Sequence, residues 1–398
     1  MQMATRILFD MGRILGADRL IPVASAHIDG CLYHGDSGVD FAELLVRGGG
    51  RVCVPTTLNV GGIDLLRPDS IKYPAHQRDM ALRLMKAYIA LGCNQTWTCA
   101  PYQDGYRPQT GEDVAWAESN AVVFANSVLG AHTNRYGDFL DICAALTGRA
   151  PHYGLHVPEN RKATVLIRTD GISERLKRQS VLYPVLGAWL GRAVGSSIAA
   201  IQGLPSDTPE EYLKALGASA ASAGAVGLFH VIGVTPEAHT MEEAFAGIAP
   251  AVTLEFGSDE VRSTRDSLSN TDGDTMNLIA LGSPHYSLQE IDRFEELRAD
   301  RELKLPVYIC LSRLVWAILD ARGQTAQMEA SGVRFVTDTC VVVTPILPQP
   351  PGVLMTDSGK FAHYTPGNTS YGVRFGSTSE CVETAVLGRV VCDNGAWQ

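Results

Sequence analysis

Short β-rich runs ending in polar residues alternate with longer helical stretches along the chain, and this alternation constrains the fold more than any other feature. "GRVCVPTT" (50–57) reads as a buried strand with a polar tail, followed by "PAHQRDMALRLMKAYIALG" (74–92), where Met80, Leu84, Ala87 and Leu91 recur at helical spacing before Gly92. "ATVLIRTDG", "GLFHVIGVTPEA", "KLPVYICLSR" and "GVRFVTDTCVVVTP" repeat the strand-then-loop pattern. Strands interleaved with helices predict an α/β protein with mostly parallel sheets. A chain of 398 residues has room for two or three such cores. The composition shifts place modules at 1–200, 201–280 and 281–398, with boundaries near "IQGLPSDTPEEY" and "LGSPHYSLQE".

Charge and hydropathy remove whole classes of function. A net charge of -10 disfavours a general nucleic-acid binder, which needs a basic surface to neutralise phosphates. No apolar run reaches the length of a membrane span, and the charged N-terminus lacks the pattern of a secretory signal, so the cytosol is the expected compartment. Nine cysteines in a reducing compartment are expected to be free, and none forms a CxxC pair. Neither a P-loop nor a GxGxxG fingerprint follows any strand, so nucleotide binding has no support, and "RGGG" (47–50) reads as a turn.

In an α/β protein, ligands gather beyond the carboxyl ends of strands, which directs attention to the polar tails. "SAHIDGCLYHG" places Ser25, His27, Asp29 and Cys31 on alternate positions, suited to acid–base chemistry, metal binding or plain loop hydrogen bonding. "PTTLNVGG" offers Thr57 and Asn59 as donors to an anion. "AWAESNAVVFANSVLGAHTNRYGDF" reads as a helix with Glu118, Asn126 and His132 among apolar neighbours; Asn134 and Arg135 at its end suit a carboxylate or a simple cap. "TDSGKFAHYTPG" (356–367) reads as a Gly/Pro-framed loop carrying Ser358, Lys360, His363 and Tyr364. Cys99, Cys310 and Cys340 each stand where an ordered run meets a polar loop; they fit sulfur ligation of iron, although Cys310 fits an apolar core equally.

Taken together, "SAHIDGCLYHG", "VPTTLNVGGID", "TCAPYQDGYRPQTGEDVAWAESNAVVFANSVLGAHTNR", "GLFHVIGVTPEA", "LGSPHYS", "FVTDTC" and "TDSGKFAHY" resemble the large catalytic subunit of the aconitase X family, over about residues 17–375. The resemblance implies a multidomain aconitase-like α/β body and hydro-lyase chemistry. It implies Cys99, Cys310 and Cys340 as ligands of an iron–sulfur cluster, [2Fe–2S] in kind, or of mononuclear iron. Ser25, His27 and Lys360 become the implied catalytic residues, with Thr57, Asn59, Asn134, Arg135 and Ser358 lining the substrate. Bacterial members dehydrate cis-3-hydroxy-L-proline to pyrroline-2-carboxylate, archaeal members dehydrate mevalonate 5-phosphate, and "SAHIDGCLYHG" is closer to the bacterial type. The family's swivelling small domain is not visible here, so a small partner subunit in a heterodimer is expected. The short N-terminal leader puts an opening helix in doubt. The remaining alternatives are the phosphorylated substrate and, from another class, a non-catalytic iron–sulfur scaffold subunit.

Overall fold

The computed structural model describes residues 1–397 and realises the expected α/β class with mostly parallel sheets. A helix at Gln2–Ile14 does open the chain: Ala4, Leu8 and Gly12 recur every four residues and bury one stripe, while Phe9 and Ile14 stay exposed. It packs beside the antiparallel pair β1 (Leu20–Pro22) and, later in the chain, Arg149–Pro151.

The first parallel sheet is small. Its central strand β2 (Ala26–Ile28) is flanked by β3 (Thr56–Leu58) and β4 (Ala115–Trp116). The run at 50–57 is thus mostly irregular, and only its last two residues enter a strand. Pro55 has no N–H to donate to a ladder, which is why pairing starts after it. The edge strand Arg149–Pro151 is β5. A second sheet has order β8-β7-β6-β9, formed by β6 (Val165–Arg168), β7 (Ala199–Gln202), β8 (Phe229–Val231) and β9 (Val252–Glu255). Its covering helices, Leu182–Val194 and Glu210–Ala223, lie unusually close: a Cβ on Gly187 would stand 2.2 Å from the Leu216 carbonyl oxygen.

The third sheet has order β12-β11-β10-β13-β14: β10 (Leu278–Tyr286), β11 (Val307–Leu311), β12 (Val333–Val336), β13 (Val353–Thr356) and β14 (Gly372–Phe375). Every residue of β10 is buried, as expected of the central strand of a parallel sheet covered on both faces. The chain runs outward from β10 through β11 to β12, then crosses to β13 on the other side. That reversal opens a crevice at the carboxyl ends of β10 and β13. The stretch 356–367, expected as a loop, is the end of β13 and a helix at Gly359–Thr369. Ser358 caps that helix by accepting the Phe361 N–H at 3.0 Å, a local signal that outweighs the flanking Gly and Pro. Among the described residues no helix is long and apolar enough to cross a membrane.

A buried charge cluster joins the first and second sheets. Arg161, 4% exposed, grips Glu237 through Nε at 2.9 Å and an Nη at 2.8 Å. The same guanidinium donates to Asn126 Oδ1 and to the Leu155 and Ala131 carbonyls. His132 stands 3.4 Å from Glu237, and the Arg161 carbonyl accepts from His230. Burial alone would raise the Glu237 pKa, but His132 and Arg161 outweigh it and hold the carboxyl down at about 2. A depressed carboxyl stabilises the fold above its ordinary value and loses that contribution as pH falls toward the folded value. Arg161→Met is therefore expected to cost about 3 kcal/mol in urea unfolding at pH 7, because a largely buried carboxylate is left unpaired. The difference between wild type and variant should shrink as pH falls from about 4.5 toward 2; a difference that does not change with pH contradicts the assignment.

Candidate active site

The carboxyl ends of the first and third sheets face one another, and most of the chemistry-bearing residues collect there. Parallel pairing puts His27 opposite both Thr57 and Trp116, so these three side chains form one row across the first sheet. His27 is fully buried, with Nδ1 2.8 Å from Thr57 Oγ1, its ring 5.8 Å from the Trp116 ring, and no partner at Nε2. Burial lowers its pKa to about 4, against the Glu118 charge, so the ring is neutral at physiological pH. Thr57 Oγ1 also reaches the Ala26 carbonyl, at 3.4 Å. With the hydroxyl proton directed there, Nδ1–H donates to Thr57 and the Nε2 lone pair is left free.

One residue beyond β2, Asp29 Oδ1 accepts from Asn59 Nδ2 at 2.5 Å. Burial, then the Glu118 and Asp138 carboxylates, push the Asp29 pKa up to about 7. Beyond β4, Glu118 caps the helix Ser119–Ser127 by accepting the Ala121 N–H at 2.7 Å. Its other oxygen meets Lys360 Nζ at 2.6 Å across 242 residues of sequence. Lys360 lies in the first turn of the helix after β13. Burial opposes both charges, yet the pairing wins: Glu118 stays below its ordinary value and Lys360 above its own.

The three cysteines come together behind this pair. Cys310 is fully buried in β11, and Gly282 of β10 lies against it at φ +89, where a Cβ would meet the Cys310 carbonyl oxygen at 2.1 Å. The Cys310 and Cys340 thiols face one another closely enough to shift each other's titration in opposite directions. Burial raises the Cys340 pKa, but the Cys310 thiol, the Val342 and Val343 N–H groups and the Lys360 charge bring it below the usual thiol value. Burial above all pushes the Cys99 thiol up to about 12. Cys99 Sγ accepts the His285 N–H at 3.4 Å, and Asn120 Nδ2 holds the Cys99 carbonyl at 3.0 Å.

Both cysteine loops are tied down firmly. The buried Trp97 takes a left-handed φ of 45° just before Cys99, and Asp338 takes φ 61° just before Cys340. Asp64 accepts from the Thr337 N–H and hydroxyl, Arg313 grips Asp338, and Ser312 donates to Asp104 at 2.7 Å. Among the described residues, no group of three His, Cys, Asp or Glu side chains is already placed so that it could hold a metal ion. The chemistry of the donor set nevertheless fits iron or an iron–sulfur centre: three soft sulfurs lie near enough to feel one another's charge, beside a cation that offsets it.

The other candidates divide. Ser358 lies at the edge of the site, its hydroxyl directed to the Ser283 carbonyl. Ser25, at the start of β2, accepts the Trp116 indole N–H at 3.2 Å, so it touches the His27 row only through that ring. Both ends of the Asn134 amide are engaged by the next loop, at the Tyr153 carbonyl and the Leu155 N–H. Arg135 is exposed. Glu118, Asn120 and His285 are the residues that local reading left without a role, while Asp29 was one acid–base candidate among several in its segment. Glu118 had a detectable signal in its position three residues before Ala121, at a helix start; His285 had none. A cavity of about 320 Å³ adjoins Ser358, between Tyr212, Lys214, Tyr286, Arg293 and Asp357, and is not lined by His27, Lys360 or the three cysteines.

Comparison with known proteins agrees with this architecture. Residues 1–159, 163–266 and 276–387 match the Aconitase X first, second and third domains. The chain is 43% identical to a cis-3-hydroxy-L-proline dehydratase of Pseudomonas aeruginosa, over 100% of this chain and 69% of the relative. It is 39% identical to one from Hypocrea jecorina, over 97% and 66%. It thus spans about two thirds of the length of these relatives. A phosphomevalonate dehydratase large subunit of Methanothermobacter thermautotrophicus is 38% identical over 92% of this chain and 90% of its own. The holo-form crystal structure of Thermococcus kodakaraensis aconitase X superposes with a TM-score of 0.86 at 35% identity, covering 96% of this chain and 95% of that one. With all three domains matched in order and the fold shared throughout, the chain belongs to the aconitase X family.

Proposed function

We propose that the chain is the catalytic body of a dehydratase acting on cis-3-hydroxy-L-proline, with Cys99, Cys310 and Cys340 holding an iron–sulfur centre, [2Fe–2S] in kind, or a single iron. One observation carries the choice of substrate: His27 Nε2, Asn59 Oδ1 and Asn120 Oδ1 are buried acceptors without partners. A buried acceptor left unpaired is costly, so such a wall suits a ligand that brings donors. The ring ammonium and hydroxyl of hydroxyproline are donors. A phosphate carries more negative charge than a carboxylate and calls for several cations, whereas among the described residues we assign one cation, Lys360, to this site. The two relatives named for the proline substrate are also the more similar in sequence.

When bound, the iron centre supplies a Lewis acid for the departing hydroxyl. The chain's own residues do the rest. Lys360 holds the substrate carboxylate and stabilises the charge that grows on it as the Cα–H bond breaks. Asp29, titrating near neutrality, takes the α-proton as a carboxylate. The C3–O bond breaks as the C2–C3 double bond forms, and the departing hydroxide leaves as water by taking up the proton that Asp29 removed. His27 and Asn59 accept from the ring nitrogen, Thr57 fixes the imidazole, and Ser25 steadies it through Trp116. Asn134 and Ser358 shape the rim, and Arg135 lies outside it as a guide for an anionic substrate. Since relatives of matching length are named large subunits, we assign a small swivelling-domain subunit as partner. Nine free cysteines accord with the cytosol.

The direct test is anaerobic purification with the small subunit, followed by iron and sulfide analysis and turnover assays on both substrates. Turnover of cis-3-hydroxy-L-proline and not of mevalonate 5-phosphate is expected; the reverse overturns the substrate. Iron bound without turnover of either would make the chain a scaffold. Cys99→Ala and Cys340→Ala should lose iron, and full iron content in both defeats the ligand assignment. Lys360→Met should lower kcat/KM by at least about 100-fold. Because the deprotonated form of Asp29 is the active one, activity should fall as pH drops below about 7. Asp29→Asn should lose about 10²- to 10⁴-fold in rate; a variant keeping the wild-type pH profile rules Asp29 out.

A further inference from the structure

His285 touches both cysteine-bearing loops at once, and its hydrogen bonds form a chain whose polarity can be worked out. Its Nε2 lies 3.1 Å from the Thr339 carbonyl, an acceptor only, so Nε2 carries the proton. Nδ1 is then an acceptor and takes the Thr98 hydroxyl proton at 3.0 Å. Thr98 Oγ1 in turn accepts the Ala100 N–H at 3.1 Å, which leaves its one proton for the imidazole. Finally, the backbone N–H of His285 points at Cys99 Sγ. Thr98 precedes Cys99 and Thr339 precedes Cys340, so a single buried ring spans the two loops at the residues next to their sulfurs.

We propose that His285 is a positioning residue for the sulfur triad: it sets the separation of Cys99 and Cys340 and directs an N–H at the Cys99 sulfur. The ring itself donates nothing to the reacting atoms. Its position in the all-buried central strand β10 gives it a rigid base, and Gly282, three residues earlier, lets that strand lie directly against the Cys310 peptide. Groups one step outside a metal's ligands characteristically fix ligand orientation, and removing one costs about 10- to 100-fold in metal affinity. The proposal rests on the reading that these cysteines hold an iron centre.

The test compares wild type with His285→Leu, which fills the space without either hydrogen bond, and with His285→Gln, whose amide can again donate to Thr339. Thr98→Val removes the Nδ1 contact, together with the Ala100 N–H bond to the same hydroxyl, and covers the case in which the leucine variant fails to fold. In the anaerobic holoprotein, iron loss to a chelator should be about 10- to 100-fold faster in His285→Leu, with an altered electron paramagnetic resonance spectrum and partial rescue in the glutamine variant. In the metal-free chain, mass spectrometry should show Cys99 alkylated several-fold faster in His285→Leu and Thr98→Val. Unchanged spectra, chelation rates and alkylation rates overturn the proposal. If the wild-type chain takes up no iron, the ligand reading fails by itself, and equal alkylation rates across the variants then overturn the positioning role separately.

Discussion

The ion pair between Lys360 and Glu118 is the interaction on which the rest of the site depends. It joins the first turn of the helix after β13 to the cap of the helix after β4, and so fixes the third sheet against the first. A carboxylate and an ammonium this deeply buried survive as ions only because each answers the other, with N–H groups of the capped helix turn taking part of the negative charge. The pair also sets the charge of its surroundings. Glu118 helps push the Asp29 pKa up toward neutrality, while Lys360 draws the Cys340 thiol down. One contact thereby separates a group able to exchange protons from a group able to bind metal, within a single crevice.

Parallel sheets explain why these residues meet. A parallel strand delivers its next polar residue at the same end of the sheet as its neighbours, so Asp29, Asn59 and Glu118 follow strands that pair in register. The third sheet gathers His285 near the end of β10, Cys340 after β12 and Lys360 after β13 at its own carboxyl end, where the strand order reverses between β10 and β13. The candidate residues thus fall in the segments matched by the family's first and third domains. The second sheet backs them through the Arg161–Glu237 cluster, which contributes no ligand to the site.

Much of this was legible in the chain itself. Buried strands with polar tails announce an α/β fold, whereas the junction contexts of Cys99, Cys310 and Cys340 only nominate them, and Cys310 lies inside the buried strand β11, a place that suits an apolar core equally. Other features were not legible, for physical reasons. His285 sits in an apolar run whose pattern says only that the strand is buried, and its role depends on loops 54 and 186 residues away. Asp29 looked like one loop residue among several, because its shifted pKa comes from burial and from carboxylates brought close by folding. Asn134 looked like an anion binder, but the folded chain uses both ends of its amide to hold the adjoining loop. The 356–367 stretch misled in the other direction, since a serine cap carries a helix through residues that resemble a loop.

The central claim is that the three sulfurs and the partnerless acceptors form one site for a hydroxylated proline. Its most direct test is an anaerobic crystal structure of the iron-loaded complex with cis-3-hydroxy-L-proline bound. The account predicts iron density bridging Cys99, Cys310 and Cys340, the substrate carboxylate on Lys360, and the ring nitrogen within hydrogen-bond reach of His27 Nε2 or Asn59 Oδ1. Substrate bound away from these residues, or sulfurs with no iron between them, would contradict it.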